Sequence, residues 1–429
     1  MRLRALALIA VWACFGCGDE APGKTSGAAG GGGGAVAGTS SGGSGGSAGE
    51  ATTGAAGSLG GSASGAGAGG SATGSGGSAG EMAQGKLSDC ALSFPYNEQD
   101  PRGHWLGADS NFSVVLGGGR ALMTFQDTFV GGSVTTERNG SAMVGNSVAA
   151  ISCQAGEYGI EYAWGGAAEQ HGPMFHDPTL QDQRLWIHRP WLHAGKLFLT
   201  ATRVSSDDAG FEEHGITLAR VQNPLDPASG WVIEYFTLTE QRLTVGKGVA
   251  ETDEHIYLFT PHQANMILAR IARPRLLEAT ISEASLEYLG TDGTWAPGLV
   301  PASAKKLGIP ANTGLTVRFH AASQKWLALY TNTSGWPSAT VSVSSADSLE
   351  GPWSQPTDVL SVPEMDPQAA EYDPDTICYG ASEHDAFNPD PDGELLFTYT
   401  CNSNDFAKLL ANMAIYVPRV VTRPNPLAR

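Results

Sequence analysis

The chain has 429 residues, 57 of them glycine, and 43 acidic against 25 basic side chains give it a formal charge of -18. No basic run follows Met1-Arg2-Leu3-Arg4. That excludes a nucleic-acid partner, because phosphate backbones are gripped by clustered Lys and Arg.

Taken in chain order, Arg2 and Arg4 precede an apolar run over residues 5–13. It is too short to span a bilayer as a helix but suits the core of a secretory signal. Small residues before Cys14 and Cys17 resemble a bacterial lipobox. Cys17 is the favoured lipidation site, since cutting before it leaves a signal of more usual length, although Cys14 stands where Leu would be expected. Residues 1–17 therefore read as a lipoprotein signal. Residues 18–87 read as a linker of almost only Gly, Ala, Ser and Thr, which cannot bury enough apolar surface to fold. Such a coil spans roughly 45 Å, at about 5 to 6 Å per square root of residue number. The expected layout is an exported protein, held by lipid to a membrane at the cell surface or in the periplasm, with residues 88–429 as a globular domain, expected to be monomeric.

Five segments of that domain are apolar at their start and polar at their end: residues 122–128, 197–203, 256–262, 326–332 and 395–401. Each reads as a strand preceded by a turn and an earlier strand, as in residues 112–116 with Gly117-Gly118-Gly119, or Phe387 with the Asn388 to Gly393 turn. Third strands are expected at 146–152, 216–221, 267–271, 339–345 and 412–418, and fourth strands at 231–236 and 286–289. Helical periodicity is scarce. Five units of three or four antiparallel strands predict an all-β fold, a five-bladed β-propeller, with residues 90–96 supplying the last blade's missing strand.

In such a fold the residues far from each hairpin turn gather at one mouth. With the first turn centred on Gly118, Asp109 and Asp127 stand opposite one another, so two carboxylates share one site and push their pKa values apart. The same count brings Trp186, Arg203, His262, Asn332, Ser382, Glu383, His384 and Asn402 to this mouth. Hydroxyl-rich ligands need paired donors and acceptors beside aromatic faces, so this rim points to a sugar.

Residues 107–114, 119–122 and 125–129 with Arg138 and Asn146-Ser147-Val148 resemble the opening blade of glycoside hydrolase family 183, formerly domain-of-unknown-function family 4185. Residues 379–384 and 396–401 resemble its final blade. The resemblance implies a five-bladed propeller that cleaves arabinan, and it carries over to Asp109, Asp127, Arg138 and Asn146. The middle blades match poorly, and Gln126 stands where the relatives usually have a small residue.

Glycosidases use two carboxyls, one giving a proton to the leaving oxygen and one activating water or attacking carbon. Asp109 is the expected base or nucleophile and Glu383 the expected acid, with Asp127 either orienting Asp109 or replacing Glu383. Arg138, His188, Arg189, Arg203, His262 and His384 are candidates for binding sugar hydroxyls or setting carboxylate pKa. The expected activity is a glycoside hydrolase acting on an arabinan or similar furanose polymer. The competing reading is a non-catalytic propeller that binds glycan or protein.

No His-Glu-x-x-His and no phosphate-cradling Gly loop occurs, and no cofactor is called for. The acidic stretch from Asp390 to Glu394 reads first as a hairpin turn and second as a structural calcium site, and Gly290 to Trp295 reads as a turn. Four Cys remain after processing. They allow three disulfide connectivities. Cys378 and Cys401 lie almost symmetrically about the last turn, which favours that pair together with Cys90 and Cys153.

Overall fold

The computed structural model describes residues 85–96, 103–132, 136–167, 170–207, 210–334 and 340–428. The signal, Cys17 and all of the linker before residue 85 lie outside the described residues. No helix among those described is long and apolar enough to cross a membrane.

The domain is all-β and its sheets are antiparallel. Five of them follow one another along the chain. Sheet I holds Phe112–Gly117, Arg120–Phe125, Ser147–Gln154 and Glu157–Ala163. In sheet II, Arg184–Ile187 and Trp191–His193 both pair with Lys196–Asp207, which is followed by Gly210–Val221 and Ile233–Thr239. Sheet III runs Gly248–Glu251, His255–His262, Asn265–Ala272, Leu286–Leu289 and Trp295–Pro297. Sheet IV runs Ala311–His320, Lys325–Asn332, Thr340–Ala346 and Thr357–Ser361, and sheet V Thr376–Glu383, Glu394–Ser403 and Arg419–Pro424.

The apolar runs are continuous rather than alternating because both faces of these sheets are covered. Side chains alternate between faces along a strand, and sheet IV shows the consequence. Its Leu327 and Leu329 pack with Leu395 and Phe397 of sheet V. The intervening Ala328 and Tyr330 pack with Phe259 and Leu268 of sheet III. Similar clusters join sheet I to sheet II through Leu122 and Leu199, and sheet II to sheet III through Leu218 and Leu258. A further cluster sets Met123 and Ile151 of sheet I with Phe387, and Leu396 of sheet V packs against it. Each sheet thus shares a core with the next, and the fifth shares one with the first.

Four expectations are corrected. Residues 90–96 form no strand, and sheet V has three. They lie as an irregular strap on sheet I, where Leu92 and Phe94 are buried, Tyr158 and Tyr162 donate to the Ser93 and Pro95 carbonyls, and Cys90 is bonded to Cys153. Pro95 has no N–H to give a ladder. Residues 412–418 form no strand either. Asp405 accepts from the Ala407 and Lys408 amides and starts the helix Phe406–Ala411, turns follow, and the strand begins at Arg419. In sheet V the first strand is the fully buried Thr376–Glu383, whereas Phe387 sits in a short helical turn, Asp385–Phe387. Finally, the strand expected over 122–128 stops at Phe125. Thr128–Gly131 pairs with His104–Ala108 and Ser141–Val144 in a separate three-stranded sheet.

The second expected disulfide, Cys378 to Cys401, also forms, between directly opposed residues of sheet V. In the acidic turn Asp390 Oδ1 accepts from the Gly393 amide, and Asp292 likewise closes the turn at 290–295 by accepting from Thr294.

Candidate active site

The first hairpin fixes the site. Its pairs run from Gly117 opposite Arg120 to Phe112 opposite Thr124. The consecutive glycines at 117, 118 and 119 all take positive φ, which closes this turn without a Cβ penalty. Beyond the open end the backbones still touch, the Asp109 amide donating to Asp127 O at 3.3 Å and the Gln126 amide to Asp109 O at 3.1 Å. Asp109 and Asp127 are therefore neighbours, and both are buried.

Burial, then the charge of Asp127, pushes the Asp109 carboxyl up to about 7, and burial raises Asp127 as well. Their surroundings differ. Trp186 Nε1 donates to Asp127 Oδ1 at 3.2 Å and Arg184 lies 3.9 Å from the same oxygen, both favouring the charged form. Asp109 Oδ2 accepts from the Tyr379 hydroxyl at 2.7 Å, while Tyr416 bonds the same carboxyl. Asn402 donates to the Tyr379 oxygen at 3.2 Å, so it acts on the site through Tyr379. Asp109 Oδ1 is buried with no hydrogen-bond partner among the described residues. The buried Lys247 sets a positive charge near Asp109, His188 and Glu213. This arrangement can hold one proton between two carboxyls at neutral pH and leave one carboxyl oxygen free for a ligand.

Several expected ligand-binding residues do other work. Arg138 is fully buried and donates to the carbonyls of Leu106, Leu409, Asn412 and Ile415, which pins the segment carrying Tyr416 beside Asp109. Gly107 serves the same packing, since a Cβ there would stand 2.2 Å from the Tyr416 carbonyl oxygen. Asn146 spends its amide on the backbone of Phe175 and Leu185. His188 is buried between Gln126 and Thr202, and burial holds it neutral, well below the usual imidazole range. His384 is buried against Ser113, Asn111 and Thr398, with its pKa pushed down to about 3 by burial first and then by Arg189. Arg203 is held by Glu240 and by the carbonyls of His214 and Thr239. Asn332 caps its own turn through the Ser334 amide and donates to Ser342. His262 is half-buried and pairs with Asn265 beside the turn that joins two strands of sheet III, and Trp186 donates to Asp127.

Glu383 is the largest departure. It is buried and paired with Arg318 at 2.9 Å. Its strand register sets it opposite Phe397, whereas Tyr379, the partner of Asp109, is opposite Thr400. Four residues of strand amount to roughly 13 Å. Glu383 thus lies toward the turn end of its hairpin, and it is no partner of Asp109. Arg189 lies there with it, its charge bearing on Glu383, Asp385 and Glu251.

Residues that sequence reasoning missed are Tyr379, Tyr416, Lys247 and Arg184. Counting could have found Tyr379 from the Cys378–Cys401 pairing. Nothing in the sequence marks Tyr416, which takes φ 63° in a turn after the helix Phe406–Ala411.

Residues 96–422 match the family described as Domain of unknown function (DUF5005). No curated protein sequence matches the chain. Among solved structures, a provisionally assigned hydrolase from Bacteroides ovatus ATCC 8483 is similar at a TM-score of 0.61 and 18% identity, over 76% of this chain and 87% of that one. The catalytic domain of the Coprinopsis cinerea GH62 α-L-arabinofuranosidase aligns at a TM-score of 0.43 and 11% identity, over 77% of this chain and 94% of that one. A GH43_1 enzyme from Xanthomonas citri aligns at 0.39 and 15%, over 79% and 91% respectively.

Proposed function

The chain belongs to the DUF5005 family, and we propose that it is a glycoside hydrolase whose acid and base are Asp109 and Asp127. The observation that carries this reading is the pair of buried, adjacent carboxyls at the open end of sheet I, one of them pushed up to about 7. In this proposal Asp109 holds the proton and gives it to the leaving oxygen. Asp127, kept ionised by Arg184 and Trp186, is the base or nucleophile. The two roles exchange those that the sequence suggested, because the cation and the indole N–H stand at Asp127. Tyr379 and Tyr416 orient the Asp109 carboxyl, and Trp186 offers a ring beside it.

The same proposal reads the five sheets as the blades of a five-bladed propeller related to family 183. It places the domain outside the cytoplasm as a monomer, tethered through Cys17 and the Gly-rich linker. Two disulfides agree with an oxidising compartment. The substrate proposed is an extracellular polysaccharide of arabinan or other furanose type.

Release of reducing ends from a polysaccharide panel that includes D- and L-arabinans, by the full chain and by Asp109→Asn, tests the proposal. Release that disappears in the variant supports it and names the polymer. Binding without release from any polymer favours a glycan-binding protein instead.

A further inference from the structure

Near the hairpin turns of the sheets lies a cavity of about 410 Å³. That volume is within the range of small-molecule sites, about 300–1,000 Å³. Its walls come from sheets I to IV and from the helical turn that follows the first strand of sheet V, among them Ser113, Arg189, Glu251, Phe319, Trp326 and Asp385. Register places it. Phe319 pairs with Trp326 and Glu251 with Ile256, each near its hairpin turn. Ser113 lies on the turn side of Phe112, whereas Asp109 lies beyond the open end. His384, buried and bonded to Ser113 on one nitrogen and to Asn111 and Thr398 on the other, occupies the layer between the two ends.

The lining selects a ligand class. Arg318 is spent on Glu383 and on the Pro391 carbonyl. Arg189 is not, for its Nη1 is buried with no hydrogen-bond partner among the described residues. A buried guanidinium N–H without an acceptor costs free energy that a ligand oxygen would recover. No unmet positive charge calls for an anion, because Glu383 is paired with Arg318, Glu251 with Arg273, and Asp385 stands beside Arg189. A hydroxyl fits both demands, accepting from Arg189 and donating to a carboxylate. The rim adds flat apolar surface, with Phe319 exposed to 44% and set edge-on to Trp326 at 5.4 Å. Paired donors and acceptors beside an exposed aromatic edge match a sugar ring.

We propose that this turn-end cavity is an accessory binding site for a neutral saccharide unit, separate from the Asp109–Asp127 centre. Which polymer supplies the unit rests on the hydrolase reading, but the site does not. It would hold one part of a glycan while another part is presented at a catalytic centre, or simply retain the protein on its polymer.

The test is saturation-transfer NMR and calorimetry on the full chain with neutral arabino-, xylo- and galacto-oligosaccharides, with a uronate and an alkyl amine as charged probes. Asp109→Asn is expected to bind a neutral oligosaccharide as the unaltered protein does. Phe319→Ser, on the exposed rim, and Arg189→Gln are each expected to weaken that binding by about tenfold or more and to leave turnover of short substrates unchanged. Phe319→Ser guards against a fold defect in Arg189→Gln. Equal binding by both variants, binding lost in Asp109→Asn alone, or binding of only the uronate or the amine would each overturn the accessory site. Hydrolysis without any Phe319-dependent binding sinks this inference and spares the hydrolase. Phe319-dependent binding without hydrolysis does the reverse.

Discussion

Two buried carboxylate groups sit at opposite ends of the same five sheets, and they solve desolvation differently. Glu383 is paired with a guanidinium at 2.9 Å, which fixes its position and opposes the burial that still raises its pKa. Asp109 is met by hydroxyls and by a second carboxyl, and its pKa is pushed up to about 7. A carboxylate that accepts from a guanidinium is a structural element, whereas one beside another carboxylate is left with a proton to move. Burial alone does not separate the two, since both side chains are nearly inaccessible.

The most direct way to break this contrast is to neutralise each carboxylate in turn. Asp109→Asn is expected to lower kcat by roughly 10²- to 10⁴-fold, the usual contribution of a positioned acid or base, with circular dichroism unchanged. Glu383→Ala is expected to leave kcat within a few-fold but to cost roughly 1–3 kcal/mol of stability, because the partly buried Arg318 loses its charged acceptor and keeps only the Pro391 carbonyl, as denaturant unfolding would show. If Glu383→Ala abolished turnover at unchanged stability, this division of labour would be wrong.

The pH dependence sharpens the same point. Because the Asp109 pKa is raised on folding, its burial costs nothing below about pH 4, where both states are protonated. The cost grows between the ordinary carboxyl value of 3.8 and about 7 and is full above that. At about 1.36 kcal/mol for each tenfold change in proton affinity, the cost is on the order of 4 kcal/mol. Asp109→Asn should therefore be more stable than the unaltered protein at pH 8 and about equal at pH 4, by thermal unfolding. Activity that depends on the protonated Asp109 should fall as pH rises through about 7. The smallest effect is expected of Tyr416→Phe. Losing one hydrogen bond to the charged carboxyl, worth about 1 to 3 kcal/mol, moves the Asp109 pKa and the alkaline limb of the activity profile upward, in a direction that a pH–rate profile reads.

The contrast was half legible beforehand. Asp109 and Asp127 could be paired by counting because three glycines fix a tight turn, and a tight turn sets the register of everything beyond it. In the last hairpin the count pairs Cys378 with Cys401 correctly but misjudges how near the turn Glu383 lies. There Phe387 belongs to a helical turn rather than a strand, so the connection begins earlier, and Glu383 falls opposite Phe397 instead of near Asn402. Arg138 and Asn146 were read as ligand binders from a family likeness. Their donors go to backbone carbonyls of segments that no local pattern would bring near.

The sequence by itself determined most strands of sheets I to IV and the antiparallel pairing within their hairpins, because apolar runs, alternation and turn residues act over a few residues. It also determined which Cys lie opposite across the last hairpin, for the same reason. Only the tertiary structure decided which polar residues meet. Tyr379, Tyr416, Lys247 and Asp109 come from four separate stretches of chain, and their convergence depends on how one sheet packs on the next. The turn-end cavity is of the same kind, since its walls are drawn from four sheets and the helical turn of the fifth, and no one of them holds a site alone.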